Sequence, residues 1–145
     1  MKWITPVASF VLALSLAGCA DKEEVKNPPE KAPAEGKEAN GGYTFTSFDL
    51  DVDLEGTNDA IDVSYEKDKN GTEASYMNKD QNKRLNGDDA MKELDEIFAS
   101  FVFNESTPDD EVLKTVEEAF DVPADAKSVE VEIDYAGGAE KEYRR

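Results

Sequence analysis

The sequence predicts an α+β domain: an antiparallel sheet of about five strands with a pair of helices packed on one of its faces. Three observations carry this expectation. Apolar and polar residues alternate with period two in 48–54, in 61–65 and again in 129–135. Between these runs, two stretches repeat their apolar residues at helical spacing. Turn signals at Asp68-Lys69-Asn70-Gly71 and Gly137-Gly138 join strands directly, without the long crossover that a parallel pair requires.

The elements follow in order. Phe48, Leu50, Val52 and Leu54 alternate with Asp49, Asp51 and Asp53, which makes a half-buried strand. Tyr43 and Phe45 have the opposite parity, so a bulge or break is expected near Ser47. Ile61, Val63 and Tyr65 form the second strand, and Ala74 and Tyr76 mark the third, across the Asn70-Gly71 hairpin. A helix starts after Asn86-Gly87, with Asp88 and Asp89 beside its positive end; Met91, Leu94, Ile97, Phe98 and Phe101 share one face. Thr107 is expected to cap a second helix with Pro108 in its first turn. Val112, Leu113, Val116, Ala119 and Phe120 give that helix its apolar side, and Pro123 closes it. Val129, Val131, Ile133 and Tyr135 alternate with Glu130, Glu132 and Asp134 in a fourth strand, and a short fifth ends at Tyr143. The order is three strands, two helices, two strands. Because the polar side of these strands is acidic, one sheet face should be a negative surface.

Composition removes several classes of function. The 145 residues carry 34 Asp and Glu against 16 Lys and Arg, a formal charge of -18. Such a chain is repelled by nucleic-acid phosphates and by anionic headgroups, so no nucleic-acid partner is expected. Acidity also has a plain use in keeping a secreted protein soluble. The sequence holds no His, which takes away the usual neutral-pH base and the commonest ligand for zinc or copper. One Cys allows no internal disulfide. No phosphate loop, no Gly-x-Ser-x-Gly and no zinc spacing occurs, so neither a cofactor nor enzymatic activity is expected.

The N-terminus supplies an address. Lys2 precedes an apolar stretch from Ile4 to Ala17, shorter than the ~20 residues that span a bilayer. It ends in Leu16-Ala17-Gly18-Cys19, which resembles the lipobox of bacterial lipoproteins. The resemblance implies recognition of Leu16, Ala17 and Gly18 by a signal peptidase, removal of residues 1–18, and a diacylglyceryl group on Cys19. Two acyl chains anchor stably where one is marginal. The mature chain would then sit on the outer face of the cytoplasmic membrane. Residues 19–42 read as the lipidated Cys and a disordered tether, rich in charge and punctuated by Pro28-Pro29, Pro33 and Gly41-Gly42. A coil of that length averages ~25–30 Å end to end and reaches about 70 Å when stretched. Residues 43–145 are the folded domain.

Few residues suggest chemistry. Asp49, Asp51 and Asp53 project from one strand face at ~7 Å intervals, weak candidates for a calcium site if a loop added oxygens. A solvated face that guards against edge pairing explains them as well. Glu66–Met77 matches a calcium loop poorly, because Met77 stands where a bidentate Glu is needed, and a hairpin accounts for it. The carboxylates at Asp88-Asp89 and Asp109-Asp110-Glu111 serve helix starts. Phe103 is out of helical phase and reads as loop or core packing.

Taken together, Phe48-Asp49-Leu50-x-Val52, Leu85-Asn86-Gly87-x-x-Ala90, Ile97-Phe98, Asp110-Glu111-Val112 with Ala119-Phe120, and the ending Glu142-Tyr143-Arg144-Arg145 resemble the YusW-like family of small lipoproteins from Bacillus and relatives. The resemblance covers most of the domain but not the tether. It implies a Gram-positive envelope lipoprotein and brings no catalytic residues. Three functions stay open: a non-enzymatic module binding an envelope protein or peptide, cation binding by the acidic strand face, and a carboxylate-based hydrolase.

Overall fold

The computed structural model describes residues 23–26 and 43–145. The stretch read as a signal segment, the lipobox-like residues Leu16, Ala17, Gly18 and Cys19, and most of 19–42 lie outside the described residues.

The described chain builds seven strands and two helices: β1 (Glu23–Glu24), β2 (Phe45–Leu54), β3 (Thr57–Asp68), β4 (Gly71–Asn78), β5 (Lys83–Asn86), α1 (Gly87–Ala99), α2 (Asp109–Ala119), β6 (Ser128–Tyr135) and β7 (Glu140–Arg144). All pairings are antiparallel, and the sheet runs β1-β4-β3-β2-β6-β7, with β5 also on β4. This is the α+β architecture that the alternation predicts. β2 lies at the centre because its apolar set, Phe48, Leu50 and Val52, meets partners on both sides: Tyr65, Val63 and Ile61 of β3, and Ile133, Val131 and Val129 of β6. Each of these nine is nearly fully buried.

The expected break near Ser47 is present as a register shift between Phe45 and Ser47 on the β6 side. It turns Phe45 to the same face as Phe48, and both rings reach Phe98. Phe98 sits at the hub of an aromatic cluster, with Tyr43, Phe45, Phe48, Tyr65 and Phe101 within 5.8 Å centroid to centroid. Phe120 stacks on Phe48 at 5.8 Å and meets the Tyr76 ring edge-on. Both helices therefore cover one face of the sheet. Phe103 is buried and lies against Phe101, so it belongs to the core.

The structure adds two strands that the sequence does not announce. β5 carries one apolar residue, Leu85, and no alternation that signals burial. It is held by its ladder to β4 and by Lys83, whose ammonium bonds Glu93 of α1 at 2.6 Å and lies over the Tyr76 ring. β1 corrects the expectation that 19–42 is tether throughout: Glu23 and Glu24 pair with Ala74 and Glu73, and Val25 is buried. An open strand edge supplies hydrogen bonds that composition does not reveal.

Helix α2 also starts differently. Pro108, not Thr107, is the N-cap, and its carbonyl accepts from Glu111 and Val112. The Thr107 hydroxyl instead accepts from Asn104 N–H and closes the preceding turn. The last strand runs one residue past Tyr143, to Arg144.

Candidate functional site

With the helices on one face, the opposite face of the sheet collects the polar residues of every long strand. Register decides which of them meet. Asp51 stands directly beside Asp62 of β3 and Glu130 of β6. Asp49 is opposite Ser64 and Glu132, and Glu132 is opposite Glu142 of β7. Like charges placed directly opposite each other destabilise a sheet. Here two such contacts meet at one residue.

The three strand carboxylates singled out by the sequence share this face but have different neighbours. Asp49 accepts from the Ser64 hydroxyl at 2.5 Å and from Ser47 at 3.4 Å. Asp53 accepts from the backbone N–H of Asp59 at 2.8 Å and from the Ser128 hydroxyl at 3.1 Å, which ties the β2–β3 turn to β6. Both carboxylates are thus engaged in holding the sheet. Asp51 is exposed at the middle of the row. Partial desolvation raises its carboxyl, and the neighbouring charges of Asp62, Asp59, Asp49 and Glu130 push it further, to about 6. Glu132 is raised as well, by desolvation and then by Glu130, Glu142 and Asp49.

Among the described residues, the carboxylates whose oxygens gather within 4.8 Å of one another are Glu130, Glu132 and Glu142. Asp49, Asp51 and Asp53 form no such group. Sequence alternation shows that Glu130 and Glu132 face away from the core. Only the register brings Glu142 beside them. A cation of the chain already serves this cluster: the Arg144 guanidinium bonds Glu130 at 2.9 Å and also pairs with Glu142. The Glu66–Met77 stretch is the β3–β4 hairpin, in which Asp68 accepts from the N–H groups of Asn70 and Gly71.

Among the described residues, two hollows stand out, both shallow. A hollow of about 290 Å³ lies beside the hairpin tip, against Glu24, Glu66, Asp68 and Glu73. A second, of about 320 Å³, lies between Thr44, Glu105 and Tyr135. Neither touches the row around Asp51. Among the described residues, no helix is long and apolar enough to cross a membrane.

The fold and this surface define a two-layer α+β domain with an aromatic core under its helices and a carboxylate-lined open face. The chain belongs to the YusW-like protein family, whose model matches residues 46–137, more than half of the sequence. The match holds the motifs from Phe48 to Phe120 and stops short of the Glu142–Arg145 ending. No curated protein and no solved structure matches the chain.

Proposed function

We propose that this is a membrane-anchored extracytoplasmic lipoprotein whose domain is a non-enzymatic binding module. Its open sheet face is the binding surface, and its partner is a cationic segment of an envelope protein or peptide. One observation supports this above the others: Asp51 is placed in register between Asp62 and Glu130, which sets three like charges side by side on the sheet face turned away from the helices. A solvated face chosen for solubility alone has no need to set carboxylates directly opposite one another. A Lys- or Arg-rich segment laid across β3, β2 and β6 would relieve that repulsion. The lipobox at Leu16–Cys19 supports anchoring through a diacylglyceryl Cys19 on the outer face of the cytoplasmic membrane.

Calorimetric titration of the soluble domain with a lysine-rich peptide tests the surface. Binding should weaken at least tenfold in the triple variant Asp51→Asn, Asp62→Asn, Glu130→Gln. It should weaken much less when the same charge is removed from the helix side, in Asp89→Asn, Glu96→Gln, Glu118→Gln. Equal losses would mean that net charge alone attracts the peptide, and the face would have no special role.

Cation binding is the second reading, and the gathering of Glu130, Glu132 and Glu142 favours it. It requires Arg144 to leave. The expected signature is a calcium-dependent rise in melting temperature, as for any ligand that binds only the folded state.

A further inference from the structure

We propose that the segment Glu23–Lys26 is a strap, an edge strand supplied in cis that holds the domain close to its lipid anchor. The proposal rests on the reading of Cys19 as the lipidated residue.

The outer edge of β4 is filled by two short pieces, end to end. β5 covers Ser75–Asn78, and β1 covers Glu73 and Ala74. The ladder continues one step beyond β1, because Val25 N–H donates to the Thr72 carbonyl at 2.7 Å. Val25 is 5 % exposed and joins the hydrophobic core. The next N–H, of Lys26, donates to the Asp88 carboxylate at 2.7 Å, in the first turn of α1. Gly87 fits the same picture. Its φ of +57° suits glycine, and a Cβ there would come within 3.2 Å of the Glu24 carbonyl. The segment thus has a backbone ladder, a buried apolar anchor, a carboxylate at its end and a close backbone approach. A passive spacer needs none of these.

The consequence is one of distance. Glu23 lies four positions after Cys19, a span of at most about 14 Å. With β1 docked, the β4 edge is held within that distance of the acylated Cys. With β1 peeled off, the domain would be held from Tyr43, 24 positions after Cys19; a flexible coil of that length averages ~25–30 Å and reaches about 70 Å. Repulsion between the acidic domain and anionic headgroups fades over ~8 Å at physiological salt, less than the link from Cys19 to Glu23 can span, so the docked state does not require the domain to enter that layer. The strap therefore gives the protein two heights above the membrane, and pulling on the domain exchanges one for the other.

Two measurements test this. Val25 N–H donates to the Thr72 carbonyl directly opposite it, so the adjacent Glu24 and Glu73 form the non-hydrogen-bonded pair, where opposed side chains are closest. In the full mature chain carrying Cys19→Ser, the pair Glu24→Cys and Glu73→Cys should form a disulfide nearly completely under mild oxidation. Glu24→Cys with Glu140→Cys, on the far edge, should not. A folded protein in which the first pair stays reduced overturns the docked strand. The second measurement uses the lipidated chain in phosphatidylcholine vesicles, with a donor dye on Lys69→Cys at the hairpin tip and an acceptor in the bilayer. Val25→Asp places a charge at a buried site and should release β1, lowering energy transfer at least twofold while the domain still melts cooperatively. Unchanged transfer overturns the height-setting role. A chain that does not float with the vesicles removes the anchor reading and the height claim with it, whereas the disulfide still decides the docked strand.

Discussion

Replacing Asp51 with Asn should stabilise the protein at neutral pH, an unusual result for a substitution in a central strand. The carboxyl is raised to about 6 in the folded state, from an ordinary value near 4. A shift of that size would correspond to about 3 kcal/mol in a fully buried group. Asp51 is exposed, so water and salt screen the repulsion, and about 1 kcal/mol is the expected effect. Two opposed like-charge pairs, with Asp62 and Glu130, lead to a similar figure at ~0.2–1 kcal/mol each. The sign follows from proton linkage. A carboxyl raised on folding binds its proton more tightly in the native state, so its stabilising contribution is complete below pH ~4 and lost as pH rises through about 6. Asp51→Asn removes that loss. Melting followed by circular dichroism at low salt should show wild type and variant nearly equal at pH 4, with the variant about 4–8 °C higher at pH 7. The gap should narrow in 0.5 M salt. A variant that melts lower than wild type at pH 7 would refute the reasoning, because it would mean that the carboxylate makes a net favourable contact.

Three further outcomes are expected. Phe98→Ala should cost about 3–5 kcal/mol, because five aromatic rings lose their common neighbour, and chemical denaturation should show most of the stability gone. Arg144→Ala should lower the melting temperature at low salt, since Glu130 and Glu142 lose their cation, and millimolar calcium should restore it more than it raises wild type. Cys19→Ala should shift the protein from the membrane fraction to the medium, or leave it with an uncleaved leader, as read by fractionation and mass spectrometry.

What the sequence could show and what it could not divide along physical lines. The runs around Phe48, Val63 and Val131 are legible because burial on one face imposes period two on any strand. The bulge at Ser47 is legible for the same reason, since Phe45 and Phe48 share a face only if the register slips between them. β5 and β1 are not legible. Each is short and charged, and each owes its place to hydrogen bonds on the β4 edge, which leave no mark in hydropathy. The negative face was foreseeable from Asp49, Asp51, Glu130 and Glu132. Its arrangement was not, because local pattern does not tell which strands are neighbours or how they are aligned. That is why Asp62 and Glu142, neither of which the sequence places on the acidic face, become the partners of Asp51 and Glu132. Thr107 shows the reverse error: a good capping residue went to the turn at Asn104, and Pro108 began the helix.

The most direct test of the proposed binding surface is site-specific photo-crosslinking in intact cells that carry the full-length chain. A photoreactive residue in place of Met77, directly beside Asp62 on the same face, is compared with one at Lys92, on the exposed side of α1. A discrete adduct with an envelope protein or peptide at position 77, absent at 92 and lost with Asp51→Asn and Glu130→Gln, is the expected result. An adduct at 92 alone, or none at either position while the protein remains in the membrane, would contradict a partner bound by the acidic face.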